Sequence, residues 1–405
     1  MVGITVRQPG TLLRRYPLAQ RFLPIVVLGL VAGLVLIIAL WSIDHYRLTR
    51  GSTAYSAQQA TGEGLPETTA IEWKLVTTWP KNLPGLGSAP ENFARYVNAM
   101  SNGRLSVKVF GAGEIVPAFG VFDAVSQGVA QAGHGAAYYW KGKIPAAVFF
   151  TAIPFGMTAQ EMNGWLHYGG GLELWRELYQ PFNVIPFAGG STGVQMAGWF
   201  NRELRSADDL KGLKMRIPGL AGEVFDAAGG TAVRIAGGEV YTSMQTGVID
   251  AVEWVGPYND RTLGLNEVAD YYYYPGWHEP GAMLEFIIND RAYNALPDDL
   301  KAVVSAAARA ANAAMLDEFT ARNNESLRDL LDQGTDLRRL PDDVFARLHQ
   351  RAQEVMAALV ASDPMAAKIQ RSYQEFYDDV RAYHAISEQA YLDARARVLP
   401  PTVNN

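Results

Sequence analysis

Two charged residues stand where predicted strands end, in positions that suit ligand binding. Arg216 lies near the end of the predicted strand 213–217, and Pro218 and Gly219 follow this strand. A side chain at the carboxyl edge of a parallel sheet faces the crevice in which such sheets bind ligands. A guanidinium donates two parallel hydrogen bonds to a carboxylate. Arg216 therefore predicts a site for an organic acid, unless it is a surface arginine in a salt bridge.

Glu253 lies in an apolar setting between Val252 and Trp254, at the end of the predicted strand 251–254. A lone carboxylate is costly to bury, so it needs a partner that compensates its charge. The residues alone leave that partner open, and a nearby lysine or arginine is the simplest choice.

The segments that carry these residues alternate between strands and helices. Apolar and polar residues alternate in 73–78 and 105–110, as in half-buried strands. The helix predicted for 89–100 has Pro90 in its first turn. A second run of the same kind begins near Gly193. This pattern predicts the α/β fold class, with lobes built on largely parallel sheets.

Length and composition narrow the function. A chain of 405 residues is too long for one core and suits two lobes with appendages. The net charge of −6, without a basic cluster in the folded part, argues against nucleic-acid binding. The absence of cysteine excludes disulfides, thiol catalysis and thiolate metal sites. The six histidines show no metal-ligand spacing such as H-E-x-x-H.

The N-terminal region predicts attachment to a membrane. Residues 22–42 carry no charge and are long enough to span a bilayer core. The arginines of the basic segment 1–21 place the N-terminus in the cytoplasm and the rest of the chain outside. We predict an uncleaved signal anchor followed by a flexible linker at 43–70, with a cleaved signal peptide as the alternative.

The C-terminal region 363–397 predicts one long helix. Asp363 can cap it, and Pro364 suits its first position. Apolar residues then recur at alternating steps of four and three, at Ile369, Tyr373, Phe376, Val380 and Tyr383. A helix of about thirty residues is roughly 45 Å long, which is more than one lobe needs. It either packs on its own lobe or docks on a second subunit.

Three segments resemble the substrate-binding proteins of TRAP transporters. They are GLKMRIPG at 212–219, GGEVYTSMQTGVIDAVEWVGPYN at 237–259 and YYYYPGWHEPG at 271–281. The likeness extends over roughly residues 71–396, and it is greatest to the branch that binds 2-oxo acids such as pyruvate. The long N-terminal anchor departs from this family, which usually carries a cleavable signal.

The resemblance implies two α/β lobes that are joined by hinges and close on a ligand between them. We expect residues 71–192 in the first lobe and 193–280 in the second, with residues 281–362 shared between the two. The resemblance also implies a two-part membrane permease, driven by an ion gradient, as the partner. It further implies a place in the periplasm and a homodimer formed through the C-terminal helix.

The resemblance also implies a site for a carboxylate and a cation. Arg216 holds the carboxylate, and Gln195 also faces the substrate. The cation is held by the side-chain oxygen of Gln195, the carboxylate of Glu253 and the backbone carbonyl of Trp254. A carboxylate oxygen and the oxo group of the substrate complete its shell. All-oxygen ligation suits a hard cation and not zinc or copper.

Charge balance favours sodium as this cation. Arg216 and a monovalent cation offset Glu253 and a monocarboxylate, so a closed site is neutral and less costly to desolvate. Calcium would leave one positive charge unless another acid joins, and Glu279, close after Trp277, could be that acid. We therefore expect sodium, with calcium as the alternative.

Aromatic residues should wall the site and exclude water. Tyr139 and Trp140 follow a predicted strand at 131–135 and lie where a cleft loop is expected. We expect the Tyr139 hydroxyl to reach the ligand. Asn259 follows the turn at Gly256 and is a further candidate contact.

Other classes of function fit less well. An enzyme would need a nucleophile–base pair or a motif such as G-x-S-x-G or a P-loop, and none is evident in the sequence. A sensor ectodomain would need a cytoplasmic signalling domain, for which residues 1–21 are too short. Calcium-dependent binding of lactate or another hydroxy acid is the alternative ligand class.

Overall fold

The computed structural model describes residues 70–399. The basic segment 1–21, the anchor 22–42 and the linker 43–70, apart from its last residue, lie outside the described residues, so they stay predictions. No helix between residues 70 and 399 combines the length and the apolar character that a bilayer span needs.

An α/β arrangement of strands and helices fills the described residues. The strands are β1 (Ile71–Thr77), β2 (Leu105–Phe110), β3 (Ala132–Gly135), β4 (Val184–Ser191), β5 (Gly198–Phe200), β6 (Lys214–Arg216), β7 (Thr231–Val233), β8 (Ala251–Val252), β9 (Tyr271–Tyr274), β10 (Met283–Asn289) and β11 (Asp336–Arg339). The helices are α1 (Ser88–Met100), α2 (Val121–Ser126), α3 (Ala159–Tyr168), α4 (Gly171–Tyr179), α5 (Gly219–Ala227), α6 (Val240–Gln245), α7 (Pro257–Thr262), α8 (Asp290–Asn294), α9 (Asp298–Asp332), α10 (Asp342–Ser362), α11 (Pro364–Ile386) and α12 (Glu388–Val398).

The strands form two mixed sheets, one in each lobe. The strand order is β2-β1-β3-β10-β4 in the first sheet and β11-β9-β5-β8-β6-β7 in the second. In each sheet one strand, β10 or β5, runs antiparallel to both neighbours, and the other pairings are parallel. The expectation of largely parallel sheets is wrong for these two strands. Each is reached from the other sheet through a short segment, so no helical crossover sets its direction.

Each sheet is covered by helices that bury an apolar face on it. Phe93 of α1 stacks on Phe286 of β10, with ring centroids 4.3 Å apart. Helix α9, with 35 residues, buries Leu300 and Val304 in the same core. Helices α5 and α10 pack on each other and share a second core around Phe225. Each lobe therefore has a hydrophobic core of its own.

The chain passes between the lobes several times, and helix α9 makes one of these passages, since it packs on β4 and leads to β11. Two of the passages are short, and we call them the crossing segments. They are 192–197, between β4 and β5, and 275–282, between β9 and β10. They bond to each other: the Gly276 N–H donates to the Gln195 carbonyl at 2.9 Å, and the Gln195 N–H donates to the Glu279 carbonyl at 3.2 Å. A Cβ at Gly276 would lie 2.3 Å from the Gln195 carbonyl oxygen, so this close pairing requires glycine.

The predicted helix 363–397 is broken in two. Asp363 caps α11 as predicted, because its Oδ1 accepts from the N–H groups of Met365 and Ala366 at 2.8 and 3.0 Å. Ser387 interrupts the helix with φ −116° and ψ −99°. Its hydroxyl donates to the Tyr383 carbonyl at 2.9 Å, and a side-chain bond of this kind competes with the helical ladder.

The two halves of this C-terminal region have different surroundings. Ile369 and Tyr373 of α11 are buried, and the Tyr373 hydroxyl accepts from the Met157 N–H at 2.8 Å. Tyr383 is 62% exposed, and α12 has no buried residue. The first half therefore packs on its own chain, the first of the two alternatives, whereas α12 is left exposed.

A buried glutamate lies in the first sheet. Glu285 on β10 accepts hydrogen bonds from Trp140 Nε1 and, at 2.9 Å, from the Tyr179 hydroxyl. Neither partner is charged, so burial raises the pKa of Glu285 from 4.5 to about 8. Between these pH values the folded protein holds a proton that the unfolded chain has released. The free energy of unfolding therefore falls as the pH rises through this window.

Replacing Glu285 with glutamine should remove this pH dependence, because the amide stays neutral and still accepts a hydrogen bond from Trp140. We expect the unfolding free energy of Glu285→Gln, relative to wild type, to rise by about 1 kcal/mol or more between pH 5 and pH 8. Denaturant unfolding followed by tryptophan fluorescence measures this difference. Glu72→Gln, at an exposed glutamate of β1, is the matched control. The same pH response in both variants would contradict a neutral buried Glu285.

Candidate functional site

The site begins at two adjacent strand ends of the second sheet. Strands β6 and β8 pair in parallel with Arg216 opposite Val252. Arg216 and Glu253 therefore leave the sheet side by side at its carboxyl edge. The Glu253 N–H donates to the Arg216 carbonyl at 3.0 Å. The sequence placed each residue at a strand end, and the fold makes the two strands neighbours.

The Arg216 side chain is held by several partners. It is 1% exposed, so the alternative of a surface salt bridge is wrong. Its Nη1 donates to the Glu253 carbonyl at 2.6 Å and to Glu253 Oε2 at 3.0 Å. Its Nη2 donates to the Tyr139 hydroxyl at 3.4 Å, and the guanidinium carbon lies 4.7 Å from the centre of the Trp254 ring. Glu253 thus has an arginine partner, and that partner is Arg216.

The second carboxylate oxygen of Glu253, Oε1, is not bonded to Arg216. Oε1 is buried and makes no hydrogen bond among residues 70–399, although His278 Nε2 lies 3.3 Å away. Burial raises the pKa of Glu253 to about 7, although the neighbouring Arg216 opposes this rise. A buried oxygen without a partner is costly unless a donor or a cation reaches it.

Gln195 shares the neighbour His278 with this oxygen, and its amide has a fixed orientation. Its amide nitrogen donates to Thr192 Oγ1 at 3.0 Å and to Glu279 Oε2 at 2.8 Å. Its amide oxygen lies 3.3 Å from His278 Nε2. Glu253, His278 and Glu279 bring one potential ligand atom each to within 4.8 Å of one another. Burial, followed by the charge of Glu253, raises the pKa of Glu279 to about 7.

These groups fit a hard cation. The two carboxylates and the amide oxygen converge in a buried space, and oxygen donors of this kind are typical ligands of calcium and similar hard cations. The unpartnered Oε1 of Glu253 supports the fit, because a cation would supply what this oxygen lacks. The third ligand that the resemblance implies, the Trp254 carbonyl, follows Glu253 directly.

Asp260 fixes the loop that carries Trp254. Its Oδ1 accepts from the N–H groups of Val255 and Gly256 at 3.1 and 3.0 Å, and its Oδ2 accepts from the Tyr272 hydroxyl at 2.8 Å. Burial raises the pKa of Asp260 to about 7, and the hydrogen bond from Tyr272 opposes this rise. Asp260 was not among the residues predicted from the sequence. Its only signal was an acidic residue in the first turn of α7, where it can accept from backbone N–H groups.

The space between these side chains is small. The cavity has a volume of about 20 Å³, roughly the room of one water molecule. Its lining consists of Trp79, Leu86, Tyr138, Tyr139, Thr192, Gln195, Arg216, Trp254, Val255, Glu279, Ala282 and Leu284. The fold therefore brings five of the predicted site residues together around one cavity: Tyr139, Gln195, Arg216, Trp254 and Glu279. Glu253 adjoins them as the partner of Arg216.

Two predicted contacts lie elsewhere. Trp140 is turned away from the cavity, and its indole N–H donates to Glu285, because successive side chains of the tight helix Ala137–Trp140 point in different directions. Asn259 donates to the Pro84 carbonyl at 2.7 Å and accepts from Trp254 Nε1 at 3.3 Å. Neither residue lines the cavity, and both pack behind its wall, so their contact with the ligand stays a prediction.

Part of the cavity wall was not predicted from the sequence. Trp79 lines the cavity, and its indole N–H donates to Nδ1 of His134 at 2.9 Å. Burial lowers the pKa of His134 to about 4, so its ring is a neutral acceptor. The signal for Trp79 was an aromatic residue closely following a predicted strand, the same pattern that pointed to Tyr139. His278 was passed over although it directly precedes Glu279.

Fold and site together define a binding protein of two lobes with a buried arginine in the cleft between them. Residues 75–363 match the family described as bacterial extracellular solute-binding protein, family 7, and the chain belongs to this family. The family consists of extracytoplasmic solute receptors and not of enzymes. The resemblance to TRAP-transporter receptors found in the sequence is thereby confirmed.

Similar proteins bind 2-oxo acids. A relative from Nostoc sp. strain PCC 7120, named a monocarboxylate 2-oxoacid-binding periplasmic protein, is 41% identical over 328 residues, which are 81% of this chain and 89% of the relative. A TRAP periplasmic solute-binding protein from Colwellia psychrerythraea, solved with calcium and pyruvate, is 42% identical with a TM-score of 0.79 over 80% of this chain and 100% of that chain. Its counterpart from Pseudoalteromonas atlantica T6c, with sodium and pyruvate, is 42% identical with a TM-score of 0.78 over 80% and 99%.

Proposed function

We propose that this chain is a TRAP-transporter receptor that binds a small 2-oxo acid, such as pyruvate, together with a cation between its lobes. The observation that carries the proposal is the buried Arg216–Glu253 pair, in which one oxygen of Glu253 lacks a hydrogen-bond partner among the described residues. The receptor would deliver the acid to a membrane permease. The predicted anchor 22–42 would keep it at the outer face of the inner membrane.

Arg216 is placed to bind the carboxylate of the acid. Nη1 is engaged by Glu253, whereas Nη2 makes only the 3.4 Å contact with the Tyr139 hydroxyl. Arg216 lines the cavity, and Nη2 is the nitrogen left to donate to a carboxylate there. The Tyr139 hydroxyl is then free to donate to the same ligand.

The cation would be held by Gln195 Oε1, Glu253 and the Trp254 carbonyl. When bound, it supplies positive charge for the carboxylate and oxo oxygens of the acid. Glu279 accepts a hydrogen bond from the Gln195 amide nitrogen, which leaves the amide oxygen available for the cation. Asp260 holds the backbone on the far side of Trp254. These contacts fix the ligand atoms before the cation arrives, which lowers the cost of binding it.

Exchanging Arg216 for lysine should weaken acid binding by about tenfold to a hundredfold, because lysine keeps the charge but not the planar pair of donors. Calorimetry with pyruvate, 2-oxobutyrate and lactate measures the loss and ranks the ligand classes. Arg338→Lys, in the second lobe at β11, is the matched control and should bind like wild type. If Arg216→Lys bound the acid as tightly as wild type, the assignment of Arg216 to carboxylate binding would be contradicted. Turnover of any of these acids would argue for an enzyme.

The position of Glu279 favours calcium in this chain. The charge balance that favours sodium includes one carboxylate of the protein, that of Glu253. The structure buries two carboxylates, Glu253 and Glu279, beside one arginine, Arg216. With both acids and a monocarboxylate ligand, a divalent cation makes the closed site neutral. We therefore propose calcium as the cation, with Glu279 as the additional acid that balances its second positive charge.

Replacing Glu279 with glutamine should shift the cation preference. The amide can still accept from Gln195, but one negative charge is lost, so we expect the calcium concentration for half-maximal acid binding to rise about tenfold or more. The sodium concentration for half-maximal acid binding should change less than about threefold. Titration of each cation into protein with saturating pyruvate measures both values, with Glu239→Gln as the exposed control. A wild type that responds to sodium alone would refute the calcium assignment.

We propose in addition that a second copy of the chain covers the end of the C-terminal region. Six large apolar residues lie exposed there, and they are Tyr383, Ile386, Tyr391, Leu392, Val398 and Leu399. Exposed apolar groups in such number are typical of an interface. The dimer that the resemblance implies would bury them.

The double variant Ile386→Asp with Leu392→Asp should therefore be monomeric, because it places charges in the proposed interface. Sedimentation velocity at micromolar concentration compares it with the wild type, for which we expect a dimer. Asp393→Asn, on the same helix, should sediment as the wild type does. A wild-type protein that stays monomeric at these concentrations would rule out the dimer.

A further inference from the structure

His278 is buried between two of the side chains that would hold the cation. Its Nε2 lies 3.3 Å from Gln195 Oε1, in hydrogen-bond geometry, and 3.3 Å from Glu253 Oε1. Its Nδ1 is buried and has no partner among the described residues. Its place within the cluster of Glu253, His278 and Glu279 allows two roles, a cation ligand or a hydrogen-bond donor.

The neighbours of His278 decide which ring nitrogen carries the proton. The Gln195 amide nitrogen donates to Thr192 and Glu279, so the amide atom that faces His278 is the oxygen. The other neighbour of Nε2 is a carboxylate oxygen of Glu253. Both oxygens are acceptors, and a lone pair on Nε2 would repel them. The proton therefore belongs on Nε2, and the lone pair belongs on the unpartnered Nδ1.

We propose that His278 is a positioning residue: its Nε2–H donates to Gln195 Oε1 and fixes this oxygen for the cation. A ring nitrogen that carries a proton has no lone pair for a metal, so His278 itself is not a ligand. Hydrogen bonds from residues outside the ligand shell commonly orient the ligands of metal sites. The inference rests on the proposed function, and it deepens that function by keeping the site selective for hard, oxygen-seeking cations.

Three variants test this role through the cation dependence of acid binding. His278→Leu removes the donor and should raise the cation concentration for half-maximal binding about tenfold or more. The acid affinity at saturating cation should change less than about threefold. His278→Gln carries a donor at the same distance along the side chain and should stay within about threefold of wild type. His349→Leu, an exposed histidine, is the control. A wild-type cation response in His278→Leu, or an equal loss in the glutamine variant, would overturn the proposal.

Nitrogen NMR of the wild-type protein, labelled at its six histidines, gives a readout that does not depend on any variant folding. We expect the His278 proton on Nε2 both without cation and with saturating calcium. A proton on Nδ1 alone in either state would overturn the proposal. If the wild type shows no cation-dependent binding of acids, the proposed function fails, and the spectra still decide where the proton lies.

Discussion

The site depends on the buried pair of Arg216 and Glu253. Removing two charges from water costs several kcal/mol for each ion unless geometry and hydrogen bonds compensate. Here the compensation comes from a 3.0 Å ion pair, a 2.6 Å bond to the Glu253 carbonyl and the face of Trp254. All three follow from the parallel pairing of β6 and β8, which sets the two residues side by side. The pair is incomplete, since one oxygen of Glu253 and one edge of Arg216 remain for other partners.

Contacts between the lobes enclose this pair. Arg234 of the second lobe donates to the Tyr139 carbonyl at 2.9 Å and lies 4.4 Å from the centre of the Phe119 ring. Asn259, also of the second lobe, donates to the carbonyl of Pro84 in the first. These contacts attach the Tyr139 helix and the Pro84 loop to the lobe that carries the ion pair. Because they exclude water, each electrostatic interaction in the cavity becomes stronger than it would be in solvent.

Local chemistry explains which parts of this arrangement could be predicted from the sequence. Arg216 and Glu253 were found because a charge at the end of an apolar strand has few uses besides binding. The reversed strands β5 and β10 were missed because strand direction depends on where the chain crosses between lobes, which no local pattern records. The direction of the Trp140 indole could not be predicted because it depends on Glu285, 145 residues away. The pairing of Arg216 with Glu253, like the roles of Asp260 and His278, exists only once distant segments of the chain meet in the fold.

The position of the proposed ligand residues on the crossing segments would link binding to lobe movement. Gln195 and Glu279 stand on opposite crossing segments and are bonded through both backbone and side chain. Glu253 belongs to the second lobe, whereas Tyr139 belongs to the first. A ligand that contacts all of these groups is complementary only to the closed arrangement, so its binding free energy selects that arrangement from the open ones. In the proposed site, a neutral buried group such as His278 would hold the ligand atoms in place without adding charge that the ligand would have to offset.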